Sequence, residues 1–193
     1  MWKSSLAART RISVLRHGES ENNLHGIDCT DIANKDMYGL TAGGIEQIES
    51  VAAEQHEFHI VLHSPLKRAV ESAHILSSQW STPLQCEELL IEVNSGVFEN
   101  RPEAERLEWK KKNHSRFYPS GESRADVEKR AETLLDRLRT NYQNQNVLLV
   151  THGTFLSHLF AAVFDEVDWA EYNETYEDGR RIFDLKSYSR IST

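Results

Sequence analysis

Three short apolar runs, "ISVLR" (12–16), "FHIVLH" (58–63) and "VLLVTH" (147–152), punctuate a chain otherwise patterned at helical period. Their β-branched and leucine-rich composition is that of strands buried on both faces, the kind found in parallel sheets. Amphipathic segments lie between and after them. Residues 41–56 place Ile45, Ile48, Val51 and Ala52 on one helical face. Residues 64–80 open with Ser64 as N-cap and Pro65 at the first helical position, then line Leu66, Ala69, Val70 and Ala73 along one side. Residues 123–142 begin with Ser123 and Asp126 in capping-box spacing and continue with Val127, Ala131, Leu134 and Leu138. Residues 154–164, "TFLSHLFAAVF", are apolar on nearly every face and predict a buried helix. Near the end, "TYEDGRRIFDL" (175–185) reads as a hairpin. Strands alternating with helices predict an α/β fold in which helices cover a mostly parallel sheet.

No repeat or low-complexity linker divides the chain, so a single domain over residues 1–193 is expected. Asp and Glu number 30 against 22 Lys and Arg, a net charge of −8. That balance argues against general nucleic-acid binding, which needs a basic face. An anionic substrate would need a local positive pocket set against the overall field. Cys29 and Cys86 have no metal-ligand spacing and are too few for a disulfide framework, which fits a reducing, cytoplasmic setting. The basic N-terminus lacks the apolar stretch of a secretory leader, and no run approaches the roughly 18 apolar residues of a membrane span.

Chemistry gathers where the strands end. One apolar run ends in Arg16-His17-Gly18, another in Thr151-His152-Gly153, and the third leads into Ser64-Pro65-Leu66-Lys67-Arg68. In open α/β sheets, ligands bind beyond the carboxyl ends of the strands. Charge is costly to bury unless an anion meets it. Lys67 and Arg68 in the first turn of a helix oppose its dipole, a conflict that a bound anion removes. Arg16, Arg68 and the peptide groups near Gly18 and Gly153 are thus expected to surround a phosphoryl group. Two histidines in such a pocket point to nucleophilic attack at phosphorus by a neutral imidazole.

These motifs resemble the histidine phosphatase superfamily, in its phosphoglycerate mutase-like branch. "LRHGESENN" (15–23) is similar to its first signature, "SPLKRAVESA" (64–73) to the second, "LIEVNSGVFE" (90–99) to the third and "VTHG" (150–153) to the last. "YPSGES" (118–123) resembles the family's proline-glycine-glutamate-serine turn. The resemblance implies a three-layer sandwich with helices on both faces of a mostly parallel central sheet. It implies His17 as the nucleophile that becomes phosphohistidine, and Arg16, Asn23, Arg68 and His152 as phosphate-binding positions, with Gly153 beside them. Glu92 matches the proton donor to the leaving alcohol, later the base for water. Such an acid must hold a proton near neutral pH, so partial burial and the substrate dianion are expected to favour its protonated form. Neither metal nor cofactor is needed, because the arginines and histidine do the work magnesium does in many phosphoryl-transfer enzymes.

The implied activity is hydrolysis of a small phosphorylated metabolite, with oligomeric state open. A mutase is the first alternative, although the 28 residues of 93–120 between Glu92 and Gly121 are shorter than the family's mutases usually have. A fructose-2,6-bisphosphatase-like specificity is a further option, and a non-catalytic phospho-ligand module is of another class. Two departures bear on substrate identity: Asn100 stands where the family often has glycine, and segment 24–39 is long. Glu87, Glu88 and Glu99 compete with Glu92 for the acid role, Glu99 foremost. Glu122 is first a turn-to-helix residue and second a substrate contact. "KKKNHSR" (110–116) reads as a solvated helix end or as a substrate-steering patch. His56, His59 and His63 invite a metal reading, but His59 and His63 would lie roughly 13 Å apart along a strand, too far to chelate.

Overall fold

The computed structural model describes residues 10–54, 56–115, 117–163 and 180–184, the last five and 161–163 through their backbone alone. Strands β1 (Arg11–Arg16), β2 (Ile60–His63), β3 (Leu84–Cys86), β4 (Asn146–Thr151) and β5 (Arg180–Asp184) form one sheet in the order β3-β2-β4-β1-β5. The pairs β1–β4, β2–β4 and β2–β3 are parallel, and β5 runs antiparallel along β1. The helices are α1 (Glu21–His25), α2 (Ala42–Ala52), α3 (Lys67–Trp80), α4 (Glu103–Asn113), α5 (Arg124–Asn141) and α6 (Gly153–Val163).

Side chains alternate across the pleat and so divide the core in two. Ile12, Val14, Leu62, Val147 and Leu149 pack against Val127, Ala131, Leu134 and Leu138 of α5 and Phe155, Leu156 and Leu159 of α6. Leu15, Val61, Leu148 and Val150 meet Ile48 and Ala52 of α2 and Ala69, Ala73 and Leu76 of α3. The continuous apolar runs are explained by this: each central strand is covered on both faces. The result is the expected α/β three-layer sandwich. After β1 the chain crosses to the α2 face, and after β4 to the α6 face. The crevice between these adjacent strand ends is where such sheets bind ligands.

Several expectations need correction. Helix α3 starts at Lys67 with Leu66 as a capless N-cap, not at Pro65 behind Ser64. The Ser64 hydroxyl is instead engaged by His152 Nε2 at 2.7 Å and accepts the Leu66 N–H at 3.3 Å. Ile45 is 39% exposed, because α2 meets the sheet side of the core through Ile48 and Ala52, with Val51 packed beside them. Strand β3 had no apolar signal, since this edge strand exposes Gln85 and Cys86. Of the hairpin read at 175–185, Arg180–Asp184 is β5 and the remainder lies outside the described residues. The capping box of Ser123 and Asp126 forms as expected. Among the described residues no helix is long and apolar enough to cross a membrane.

Candidate active site

The ends of β1, β4 and the β2–α3 connection bring Arg16, His17, Arg68 and His152 together. His17 is buried, and its backbone N–H donates to the Thr151 carbonyl, extending the β1–β4 ladder by one rung. Its side chain has a defined tautomer. Arg68 Nε, which can only donate, lies 3.1 Å from His17 Nε2, so Nε2 carries the lone pair. The ring proton sits on Nδ1 and is donated to the Gly18 carbonyl at 2.7 Å. Burial first, then the charges of Arg68 and Arg16, hold the His17 pKa well below 6.5.

Arg68 is 4% exposed and also donates through Nη2 to the Cys29 carbonyl at 2.9 Å. Burial lowers its pKa, with Glu92 the foremost opposing influence. The His152 ring centroid is 5.0 Å from that of His17, and the residue is wholly buried. Its pKa too is held well below 6.5, by burial and then by Arg68, His17 and Arg16. Its Nδ1 has no hydrogen-bond partner among the described residues. A buried polar atom in that condition is costly and calls for an explanation.

Arg16, His17, Asn23, Arg68, Glu92 and Gly153 line one cavity of about 310 Å³. Arg16 is exposed, and its guanidinium carbon lies 3.8 Å from where a Cβ on Gly153 would stand. Asn23 Oδ1 accepts the Ser20 hydroxyl at 2.7 Å. The half-buried Glu92 carboxylate accepts the backbone N–H groups of Val93 (2.8 Å), Thr154 (3.1 Å) and Phe155 (2.8 Å). It therefore sits at the N-terminus of α6, where negative charge is favoured. Lys67 does not reach the cavity; its Nζ faces Glu71 at 3.9 Å along the helix surface.

The competing glutamates are engaged away from the cavity. Glu99 accepts from Thr30 N and Oγ1, Asp31 N, Asn34 Nδ2 and Ser95 Oγ, all within 3.3 Å, and so fastens segment 30–34 to the 95–99 turn. Glu87 pairs with Arg137 and caps the Glu88–Leu90 turn, and Glu88 is exposed. None of the three lines the cavity. Glu122 likewise does not line the cavity, and both its oxygens accept from Arg130. Long segment 24–39 supplies a cavity wall through Ile27, Asp28, Cys29 and Thr30. Asn100 has φ +58°, a left-handed conformation that suits glycine and that asparagine tolerates.

The three histidines near β2 separate. His56 packs on Phe58 and Trp80, His59 Nδ1 accepts the Asn146 N–H, and His63 Nδ1 bonds the Ser64 carbonyl. Lys110, Lys111 and Lys112 occupy the last turn of α4, and Lys110 also lines the cavity. Sequence reasoning missed Ser64, the partner of His152, and Arg130. Arg130 had a readable signal: it follows Val127 by three positions and precedes Ala131, a charge inside the apolar stripe of α5.

A family model described as the histidine phosphatase superfamily (branch 1) matches residues 12–177. The adenosylcobalamin/alpha-ribazole phosphatase of Escherichia coli (strain K12) is 30% identical over 161 residues, 78% of this chain and 77% of that one. Among solved structures, Bacillus stearothermophilus YhfR is 26% identical with a TM-score of 0.72, over 82% of this chain and 81% of the other. The phosphoserine phosphatase of Entamoeba histolytica, in complex with 3-phosphoglyceric acid, is 26% identical with a TM-score of 0.68, over 86% and 84%.

Proposed function

We infer the mechanism from one premise: the chain belongs to the histidine phosphatase superfamily (branch 1) and is a phosphatase that hydrolyses phosphate monoesters. The observation that carries the assignment of His17 as nucleophile is its tautomer, with an unprotonated Nε2 set among arginines. The phosphoryl group of the substrate occupies the space between Arg16, Asn23, Arg68, His152 and Gly153. Arg68 exchanges its Nε–H bond to His17 for one to a phosphoryl oxygen, which frees the lone pair. Ser64 donates to His152 Nε2, so the ring hydrogen stays on Nδ1, and a phosphoryl oxygen satisfies that buried donor.

His17 Nε2 then attacks phosphorus in line with the ester oxygen. The P–N bond forms, the P–O ester bond breaks, and the Glu92 carboxyl gives its proton to the departing oxygen. The resulting imidazolium keeps its Nδ1–H bond to the Gly18 carbonyl, which supports the positive ring. In the second half, Glu92 takes a proton from water as the water oxygen attacks phosphorus. The P–N bond breaks, inorganic phosphate leaves, and His17 is neutral again. The cationic cage stabilises the charge of the transferring group throughout. The substrate is a small phosphorylated molecule whose remainder lies against Ile27, Thr30, Val93, Leu107, Lys110 and Tyr118. The relatives' names point to different alcohols, a ribazole and a serine, so the leaving group of this enzyme is open to a screen of phosphorylated metabolites by released phosphate.

The test is chemical trapping. Wild type mixed with labelled substrate in the presence of a chelator and quenched without acid should retain label that is acid-labile and alkali-stable, as a phosphoramidate is. The His17→Ala variant should bind inorganic phosphate and retain none. Label on the variant, label on a serine of wild type, or activity lost to the chelator and restored by a divalent metal would overturn this mechanism.

A further inference from the structure

We propose that Arg130 and Glu122 are positioning residues for the Glu92 carboxyl, a frame that grips the acid from both sides along the chain. The inference rests on the reading of Glu92 as proton donor given above. Arg130 Nη1 donates to the carbonyls of Leu89 at 2.9 Å and Ile91 at 2.7 Å, the latter immediately before Glu92. Its Nε and Nη2 donate to Glu122 Oε1 at 2.9 Å and Oε2 at 2.8 Å. Glu122 Oε2 also accepts the Asn94 N–H at 2.9 Å, two residues after Glu92. The guanidinium lies over the Phe155 ring, 4.2 Å from its centroid, and the Phe155 N–H is one of the donors to Glu92 Oε1.

One ion pair therefore holds Ile91, Asn94 and Phe155, the groups that set where Glu92 sits relative to the phosphoryl cage. The pair itself is off the cavity wall. Its side chains are only 11% and 22% exposed, so desolvation offsets much of the mutual attraction, and its net worth as a stabiliser is small. What it supplies is geometry. Arginine suits the task because its fork serves two carbonyls, two carboxylate oxygens and a ring face together, which an ammonium cannot do.

Proton transfer matters most when the departing oxygen is a poor leaving group. Misplacing Glu92 should thus slow alkyl phosphates and spare aryl phosphates, whereas general loosening of the fold would slow both. The experiment measures kcat/KM, which reports the first irreversible step, for one alkyl and one nitrophenyl phosphate. Glu92→Gln should lower the alkyl value relative to the aryl value by roughly 10²–10⁴-fold. Arg130→Lys and Glu122→Gln should each lower the alkyl value by about 10- to 10²-fold and leave the aryl value within about threefold. Added to Glu92→Gln, neither should change the alkyl-to-aryl ratio further, the mark of acting through that residue. Should Arg130→Lys not fold, Glu122→Gln, which keeps shape but turns one of the two accepting oxygens into an amide donor facing an N–H group, carries the same test. Equal losses on both substrates, or losses that multiply with Glu92→Gln, would overturn the frame alone. A Glu92→Gln variant that does not distinguish the substrates would overturn the acid assignment and the frame with it.

Discussion

Arg68 serves two partners with one guanidinium, His17 Nε2 through Nε and the Cys29 carbonyl through Nη2. Both bonds leave in the same plane, which is why the side chain is fixed although it is long. Lysine would keep the charge and lose the fork, so the substitution is not conservative at this position. Arg68→Lys should lower kcat/KM for an aryl phosphate by roughly 10²–10³-fold, the loss typical when a donor to the reacting group is removed. Steady-state kinetics alongside phosphate binding decide the matter. A variant within about threefold of wild type would mean that charge alone suffices there. At the same scale, the proposed choice of acid rests on partners rather than on residue type. Glu87, Glu92 and Glu99 have the same side chain, but only Glu92 carries its carboxylate to the cavity.

Helix α2 and the loop that carries His17 touch through two glycines. A Cβ on Gly44 would lie 1.9 Å from the Glu19 carbonyl oxygen, and one on Gly18 would lie 2.4 Å from the Gly44 oxygen. Thr41 completes the junction: its N–H donates to the Glu19 carbonyl, and its hydroxyl accepts the Gly44 N–H. The helix can therefore approach the loop backbone directly. Gly43, next in the same turn, has its nearest atoms at 3.7 Å and room for a methyl group. Two neighbouring substitutions should thus act in opposite directions. Gly43→Ala should stabilise the protein by about 0.4–1 kcal/mol through the unfolded chain's lost freedom. Gly44→Ala should destabilise it by about 1–3 kcal/mol through forced displacement of backbone. Because that displacement moves Gly18 and His17, the second variant should also lose about 10²-fold in kcat/KM. Urea unfolding with parallel kinetics separates the two; equal and small effects would mean that the junction is looser than the contacts require.

The whole molecule stores a pH dependence in its buried histidines. His17, His63 and His152 all have pKa values lowered by burial. An unfolded chain takes up protons on these rings as pH falls through about 6.5, while the folded chain does not until lower pH. The contribution is thus fully present above about 6.5 and is lost progressively as pH falls below it, at up to about 1.4 kcal/mol per pH unit for each ring. The urea midpoint should decline between pH 7 and 5, and the decline should be shallower in a variant with His17 and His152 both replaced by alanine. A variant with the wild-type slope would place the sensitivity in other groups.

The apolar runs in the sequence were sufficient to locate β1, β2 and β4, since strands covered on two faces must be apolar at successive positions. They also implied the layered α/β arrangement, and Ser123 with Asp126 marked the start of α5. The recurrence of His-Gly after two strands placed Arg16, His17 and His152 at one end of the sheet. What only tertiary structure decided were the polar partners across the crevice. Ser64 meets His152 from 88 residues away, and Glu92 reaches the Phe155 N–H from 63 away. Glu99 was drawn off to hold segment 30–34, and Glu122 to meet Arg130. A hydrophobic pattern reports which side chains avoid water, and that preference is local and additive along the chain. A hydrogen bond depends on two groups arriving within about 3 Å at a favourable angle. Here that arrival was set by the order in which β2, β4 and β1 lie side by side, which no segment of the sequence specifies alone.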